Sequence, residues 1–363
     1  MMSRFVLQAH HLLKNVPIFK WADAAVISFW FRGIIPAARF CCEIGLVFKL
    51  IAVAMYYRKR LVILCRFGGI GDIVCSFPAA REFVRKNPDV QVVYVTLPSY
   101  RALIERSNLA IPCVTVGMFV IPTGWSARLI AGRCVALNYA DEAEITDRPP
   151  LRLVQEFARN LGLDAVSEEP VLRVDPLQVE KIRAHYLPKG KQLFVLLHTG
   201  PTWKVREWPL EAWITLVSRL HENPEVQVFQ IVANRNETVK GAWSPLVPGA
   251  IPIKCADNIS KLIDTIGAAD LLIGIDSGPI HVAAAVGTNC VALFGPVDPA
   301  LRLAPSGRVR AVVHLLACSF CHHRRPRLHW QSGCPMGIAC MKDITMEQVL
   351  EAAQEFLSSA KPP

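Results

Sequence analysis

Short, almost wholly apolar runs alternate with helical stretches along most of this sequence, and this alternation limits the fold more than any other feature. Such runs are typical of strands that are buried on both faces of a parallel sheet, with the intervening helices covering those faces. They fall into two series, separated by a polar, proline-containing segment near residues 164–190. The first series is 60–66, 91–96, 113–116 and 133–138, and the second is 192–198, 226–232, 271–276 and 290–294. The sequence therefore predicts an α/β protein with two Rossmann-like domains.

The length and composition agree with two globular domains. The chain has 363 residues, which is more than one compact domain usually holds. Its 52% of hydrophobic and 19% of charged residues exclude a disordered chain. We place the domains at residues 60–180 and 190–345, between an extension at 1–59 and a C-terminal helix and tail at 346–363. The twelve cysteines, most of them single within apolar runs, indicate a reducing compartment rather than a disulfide scaffold.

The extension at 1–59 is both apolar and basic. Residues 20–60 contain seven Lys or Arg against two Asp or Glu, and such an excess favours anionic partners. The longest charge-free runs in that stretch have eight residues, whereas a membrane span needs roughly 20. One interpretation is a basic amphipathic helix in the membrane interface, kinked or divided at Pro36. A helical extension packed on the protein's own core and a true span are the alternatives.

The first candidate site is the glycine-rich turn after the first apolar run. Gly68, Gly69, Gly71 and Asp72 would lie at the carboxyl edge of a sheet, where backbone N–H groups and a positive helix end bind ligands. Val74 stands where a dinucleotide-binding fingerprint needs its third glycine, so an NAD site is not favoured. The helix dipole would keep Asp72 ionised and able to accept a proton from a bound hydroxyl. A carboxylate that only caps its turn is the alternative.

The second candidate site is the loop at 198–209, which follows the first strand of the second series. Thr199 supplies a hydroxyl, Lys204 a point charge and Arg206 a planar fork, all suited to a phosphate. A solvated surface loop is the alternative. Trp203 and Trp208 argue against it, because they enclose the charged residues.

The third candidate site is the segment 271–285, which predicts a strand, a turn and a helix in that order. Ser277 is a natural N-cap, and Pro279 suits a first helical turn. The free N–H groups at this helix end would bind a diphosphate, with His281 on the same turn. An ordinary capped crossover helix explains Ser277 and Pro279, but it explains neither Asp276 nor His281.

These three segments together resemble glycosyltransferase family 9, the ADP-heptose:lipopolysaccharide heptosyltransferases of Gram-negative bacteria. RLVILCRFGGIGDIVCSFPAAREFVRKNPD resembles the family's opening strand, GD turn and helix. HTGPTWKVREWPLEAW resembles its K-x-W-P loop, with the spacing changed to K-x-x-x-W-P. DSGPIHVAAAVGTNCVALFGPVDP resembles its D-[ST]-G-x-x-H-x-x-A-A signature. The resemblance covers roughly residues 60–350 and implies a GT-B fold, in which an N-terminal acceptor domain and a C-terminal donor domain face a cleft.

The resemblance also implies roles for particular residues. Asp72 matches the family's catalytic base, and Lys204 matches the lysine that stabilises the donor diphosphate. The positions that match the nucleotide-diphosphate site are Asp276, Ser277, Gly278 and His281, with Thr199 on the phosphate-facing loop. Glu237 is the candidate acidic residue for the ribose.

The implied function is an inverting transfer of heptose from ADP-heptose to an anionic lipopolysaccharide-core acceptor, with no metal required for catalysis. The resemblance further implies a cytoplasmic protein, peripheral at the inner membrane, with no nucleic-acid partner. Two alternatives stay open. One is a family member that acts on a protein or on another surface glycan, and the other is a non-catalytic, membrane-associated protein that binds sugar nucleotides.

Four cysteines form a cluster at residues 318–340. Cys318 and Cys321 have the spacing of a zinc or iron knuckle, and Cys334 and Cys340 would complete a tetrahedral shell. Separate buried thiols or a disulfide are the alternatives, and a reducing compartment disfavours the disulfide. We expect any metal here to be structural, because four thiolates leave no open position.

Overall fold

The structure is a computed structural model, and it describes residues 35–117, 130–137, 151–164, 166, 169–200, 203–233, 245–304, 306–324 and 333–359. Within these residues the chain builds two parallel β-sheets with helices on their faces. The side chains of residues 35–43 are not described.

The first sheet consists of β1 (Arg60–Cys65), β2 (Val90–Thr96), β3 (Cys113–Thr115) and β4 (Ala131–Ala136). Its strand order is β3-β2-β1-β4, and all neighbours are parallel. The helices of this part are α1 (Ile35–Tyr57), α2 (Ile70–Lys86), α3 (Arg101–Arg106) and α4 (Leu153–Asn160). Alternate residues of β1 face opposite sides of the sheet. Leu61 and Ile63 pack with α1, whereas Val62 and Leu64 pack with α2.

The second sheet consists of β5 (Leu193–His198), β6 (Val226–Val232), β7 (Ile251–Lys254), β8 (Leu271–Ile275), β9 (Asn289–Phe294) and β10 (Val309–Val313). Its order is β10-β9-β8-β5-β6-β7, again parallel throughout. The helices of this part are α5 (Pro176–Tyr186), α6 (Leu210–Leu220), α7 (Ile259–Ala268), α8 (Gly278–Val286), α9 (Pro299–Arg302), α10 (Cys321–Arg324), α11 (Ala339–Lys342) and α12 (Met346–Ser359). Trp213 of α6 and Val349 of α12 are buried in one apolar cluster against one face of this sheet.

The expectation of an α/β protein with parallel sheets is confirmed, with local corrections. The strands predicted at 113–116 and 133–138 are Cys113–Thr115 and Ala131–Ala136. Sequence reasoning missed β7 and β10, which are the two edges of the second sheet. The polar segment near 164–190 contains α5, whose N-cap Asp175 accepts hydrogen bonds from the backbone of Leu177 and Gln178.

Helix α1 has one packed face and one exposed face in its described part. Leu46 and Leu50 are buried against the first sheet, whereas Phe48, Met55 and Tyr56 are 68%, 72% and 79% exposed. Helix α1 begins at Ile35 with Pro36 in its first turn, and because residues 1–34 lie outside the described part of the chain, the expected kink or division at Pro36 stays a prediction. Among the residues that were described, no helix has both the length and the apolar character needed to cross a membrane.

The two sheets are joined through α2 and α8, which pack against each other. A Cβ atom at Gly71 would collide with the ring of His281, and one at Gly278 would lie 2.8 Å from the Cβ of Ile70. Both positions therefore need glycine for the helices to approach this closely. A continuous apolar cluster includes Leu64 of the first sheet and Leu272 of the second.

Candidate active site

Asp72 lies at the N-terminal end of α2, at the carboxyl edge of the first sheet. The turn before it depends on Gly69, which has φ 68° and whose added Cβ would collide with the Asp72 carboxylate. Arg66, directly after β1, donates from Nη2 to Oδ2 of Asp72 at 2.5 Å. Burial raises the pKa of Asp72, and the guanidinium groups of Arg66, Arg302 and Arg206 oppose that rise. The site therefore contains a buried carboxylate surrounded by cations.

His281 and Asp276 face this carboxylate from the second sheet's side. Nδ1 of His281 lies 3.3 Å from Sγ of Cys75 on α2, so the α2–α8 contact brings the two candidate sites together. Burial and, to a smaller extent, the Arg206 guanidinium lower the pKa of His281 to about 4, so the imidazole is neutral at pH 7. Burial raises the pKa of Asp276, while Arg206 opposes the rise and the Asp72 carboxylate adds to it.

The residue that pairs with Asp276 is Arg206. Its Nη1 lies 3.2 Å from Oδ2 of Asp276 and donates to the backbone oxygen of the same residue at 3.3 Å. The guanidinium also stacks over the ring of Trp203, 4.3 Å from its centroid. Arg206 is thereby held rigidly at the N-terminal end of α8.

Lys204 lies elsewhere in the same loop. Its exposed side chain lines a pocket of about 350 Å³, together with Thr199, Trp208 and Lys342. The hydroxyl of Thr199 accepts a hydrogen bond from Nε2 of Gln230 at 2.9 Å. The structure thus brings Asp72, Asp276 and His281 together, whereas Thr199 and Lys204 line a pocket that none of these three residues lines.

Ser277 occupies the N-cap position of α8, as expected, but its side chain makes no capping hydrogen bond. Its hydroxyl oxygen is buried and has no hydrogen-bond partner among the described residues. Both ring nitrogens of His198, at the end of β5, are also buried and have no hydrogen-bond partner among the described residues. Burial lowers the pKa of this imidazole to about 4. A buried polar atom without a hydrogen-bond partner destabilises the fold. The edge of the second sheet where Ser277 and His198 lie is therefore suited to bind a polar ligand.

Sequence reasoning missed two members of this site, Arg66 and Arg302, and it considered His322 only as a substitute for one thiolate of the cysteine cluster at 318–340. Arg302 at the end of α9 is buried, and its Nη2 lies 3.1 Å from Nε2 of His322. Burial lowers the pKa of Arg302, and the Asp72 carboxylate opposes that shift. Arg66 carried a signal, since it follows an apolar strand and precedes the glycine turn. No sequence pattern marks Arg302 or His322 as a member of this site.

The four cysteines of residues 318–340 lie together. All four line one cavity of about 20 Å³, roughly the size of a single water molecule or ion. Burial and, to a smaller extent, the three neighbouring thiols raise the pKa of Cys340 to about 12. In the described part of the chain, however, no group of three or more His, Cys, Asp or Glu is arranged to hold a metal ion. The donor chemistry fits a thiophilic metal, and the arrangement of the thiols is not that of a closed ligand shell.

One candidate, Glu237, lies outside the described residues.

A family model described as glycosyltransferase family 9 (heptosyltransferase) matches residues 124–329 of this chain. That range includes Thr199, Lys204, Asp276 and His281, and it does not include Asp72. Lipooligosaccharide heptosyltransferase 2 of Campylobacter jejuni is 26% identical over 179 residues, covering 48% of this chain and 54% of the relative. The chain thus spans about half the length of the curated relatives it matches.

Solved structures of low sequence identity share the fold over a greater length. The iron-containing dodecameric glycosyltransferase TibC from enterotoxigenic Escherichia coli has a TM-score of 0.63 at 16% identity, covering 84% of this chain and 77% of TibC. TibC has also been solved in complex with ADP-D-beta-D-heptose. ADP-heptose lps heptosyltransferase II of E. coli has a TM-score of 0.62 at 15% identity, covering 83% of this chain and 99% of the enzyme.

Proposed function

The chain belongs to glycosyltransferase family 9, and on that premise we propose that it transfers a heptose from ADP-heptose to an anionic lipopolysaccharide-core acceptor with inversion at the anomeric carbon. The observation that carries the proposal is the meeting of Asp72 with Asp276, Arg206 and His281 across the α2–α8 contact. It brings a base and an anion-binding helix end to one site.

Asp72 acts as the general base. Its carboxylate takes the proton of the acceptor hydroxyl as the acceptor oxygen bonds to the anomeric carbon of the heptose. On the opposite face of that carbon, the bond to the β-phosphate oxygen breaks, and ADP departs with the electron pair. The configuration at the anomeric carbon is thereby inverted.

Stabilisation of the departing ADP falls to the N-terminal end of α8. Ser277 and Gly278 begin the helix, and their region supplies N–H donors and a positive helix end to the diphosphate. Arg206 adds a fixed cation beside it, and Lys204 and Thr199 extend the positive, polar lining into the neighbouring pocket. We assign the ribose contact to Glu237. No metal ion is needed for either half of this chemistry.

The proposal is tested by incubating the purified protein with ADP-heptose and a panel of core-truncated lipopolysaccharides, read by mass spectrometry. A mass increase of one heptose on one acceptor, with release of ADP, supports it. Transfer to a protein or to another glycan instead would support a different acceptor for the same catalyst. ADP-heptose binding without turnover on any acceptor would contradict the transferase and support a sugar-nucleotide binding protein.

We further propose that the exposed face of α1 docks the enzyme on the cytoplasmic face of the inner membrane, where the acceptor lies. Phe48, Met55 and Tyr56 form an apolar surface, and Arg58, Lys59 and Arg60 follow it directly. Apolar side chains beside a cluster of cations are the combination that binds an anionic membrane surface. The buried inner face, with Leu46 and Leu50, anchors the helix to the first sheet.

The four-cysteine cavity is proposed as a structural zinc or iron site. Cys318, Cys321, Cys334 and Cys340 line one cavity large enough for a single ion. Deprotonated thiols are the ligands that these metals prefer, and binding would require Cys340 to lose its proton. TibC, a structural neighbour, is described as iron-containing. The metal would tie α10 to α11 and would take no part in the transfer.

A further inference from the structure

Arg66 is held by hydrogen bonds through both its backbone and its guanidinium. Its backbone N–H donates to the oxygen of Val95 at 3.2 Å, and its backbone oxygen accepts from the hydroxyl of Thr96 at 2.7 Å. The guanidinium donates from Nη1 to the oxygen of Leu137 at 2.9 Å and from Nε to the oxygen of Gly68 at 3.2 Å. The ends of β1, β2 and β4 thus fix both the backbone and the side chain.

The remaining nitrogen of this guanidinium contacts the Asp72 carboxylate. Nη2 donates to Oδ2 at 2.5 Å, and the two side chains are only 12% and 23% exposed. A charge-assisted hydrogen bond in so buried a place is strong and geometrically specific. Because other nitrogens of Arg66 are bound to the oxygens of Leu137 and Gly68, the guanidinium cannot follow the carboxylate if the latter turns away.

We propose that Arg66 is the positioning residue for the base: it holds Asp72 in its ionised form and occupies Oδ2, so that Oδ1 receives the acceptor's proton. This inference rests on the proposed function, since it assumes that Asp72 is the base. In this proposal Arg66 acts through Asp72.

Two opposing effects act on the pKa of the Asp72 carboxyl group. Burial raises the pKa of Asp72, and a carboxyl group that is protonated cannot accept the proton of the acceptor hydroxyl. The guanidinium of Arg66 is the first contribution that opposes burial, both through its charge and through its hydrogen bond. Arg302 and Arg206 add weaker contributions from a greater distance.

The experiment measures kcat/KM against pH for the full-length enzyme with ADP-heptose and its acceptor. The acid limb of this profile reports the pKa of the base in the free enzyme. Removing a cation from beside a carboxylate raises that pKa by about 1–3 units. In Arg66→Gln, therefore, the acid limb should move to higher pH by about 1–3 units, with a loss of about 10-fold or more on that limb and recovery towards the plateau at alkaline pH.

A second variant of Arg66 and a control extend the test. Arg66→Lys keeps the charge but loses the fork, so its acid limb should lie between those of the wild type and Arg66→Gln. Arg85→Gln removes an exposed arginine that pairs with Glu82 on the same helix, and it should leave the profile unchanged. If Arg66→Gln does not fold, the profile of Arg66→Lys decides the question.

An acid limb that stays in place, with activity lowered equally at every pH, would overturn the inference and leave Arg66 a structural role only. Asp72→Asn distinguishes this result from failure of the proposed function. If Asp72→Asn retains turnover, Asp72 is not the base and the proposed mechanism fails. If Asp72→Asn is inactive while the acid limb of Arg66→Gln is unmoved, the inference about Arg66 alone fails.

Discussion

At the scale of single residues, the site consists of carboxylates whose charge is controlled by fixed arginines. Asp276 is buried and Asp72 is partly buried, and removal from water raises the pKa of each. Arg66 pairs with the first and Arg206 with the second. One carboxylate can thus act as a base while the other holds a cation at the helix end.

Replacing Asp72 by Asn should reduce transfer by about 10²–10⁴-fold, because an amide cannot accept the proton of the acceptor hydroxyl. ADP affinity and the melting temperature should stay near those of the wild type. Initial rates of ADP release and calorimetry with ADP check the two parts. Asp89→Asn, which replaces an exposed carboxylate in the turn between α2 and β2, is the matched control and should leave the rate unchanged. A variant with more than about a tenth of the wild-type rate would contradict the assignment.

Replacing Arg206 should impair donor use more than replacing Lys204. Arg206 is fixed between Asp276 and Trp203, whereas Lys204 is exposed at the edge of a pocket. A lost charge-assisted hydrogen bond of about 1.5–3 kcal/mol corresponds to roughly 10–100-fold in the donor's kcat/KM. Arg206→Lys separates charge from fork geometry and should recover only part of the loss. Equal losses in Arg206→Ala and Lys204→Ala would contradict the separate positions of the two side chains.

How far residue-level roles could be predicted depends on whether a residue sits at a recognisable end of an element. Asp72 and His281 do, since each follows a strand and begins a helix, and the structure brings them to one interface. Arg302 and His322 come from the region after β9, and only the tertiary fold brings them near Asp72. Lys204 was chosen over Arg206 from the family's motif, and side-chain packing against Trp203 was not visible in the sequence.

At the scale of secondary-structure elements, the interior strands were predictable, whereas the two edge strands of the second sheet were not. Interior strands such as β5 and β8 are buried along their whole length, so they read as continuous apolar runs. An edge strand has one unpaired side and tolerates polar residues and proline. β7 contains Pro252 and exposes most of its residues, and β10 contains Arg310. Neither pattern resembles a buried strand.

The exposed face of α1 should bind anionic membranes. Phe48→Ser/Met55→Ser should reduce co-sedimentation with phosphatidylglycerol-containing vesicles, because it removes apolar area without touching the packed residues Leu46 and Leu50. Leu177→Ser on α5, which replaces a leucine that is 65% exposed, is the control. High salt should weaken binding of the wild type if the cations contribute. Equal sedimentation of the wild type and the double variant would contradict docking through this face.

The cysteine cavity should hold about one equivalent of zinc or iron in protein purified without added metal. Cys318→Ser/Cys321→Ser should lose the metal and melt at a lower temperature, because metal binding contributes to folding. Cys113→Ser, a partly buried thiol on the first sheet, is the control and should keep the metal. Elemental analysis and thermal unfolding are the measurements. Metal-free wild-type protein that is folded and fully active would rule out the site.

At the scale of the whole molecule, several contacts besides α2–α8 hold the two sheets together. The backbone of Leu172 donates to the oxygen of Ala285 at 2.9 Å and bridges to Ser107. Arg106 of α3 binds both carboxylate oxygens of Asp264 on α7, at 3.2 and 3.1 Å. Since one apolar cluster also spans both sheets, the described parts of the molecule should unfold together.

Asp264→Ala tests this coupling directly. The substitution removes the carboxylate that pairs with Arg106 and that accepts a hydrogen bond from the backbone N–H of Asp175 at 2.8 Å. Breaking a fully buried pair costs about 3–5 kcal/mol, but Arg106 is partly exposed, so about 2–3 kcal/mol is expected here. Urea unfolding followed by fluorescence and by circular dichroism measures it, with Glu222→Ala, which breaks an exposed pair with Arg219, as the control within about 0.5 kcal/mol. The wild type should give coincident transitions. If the two probes separate in the wild type, the sheets unfold independently, and the α2–α8 contact that assembles the active site is then a closed state of two mobile halves.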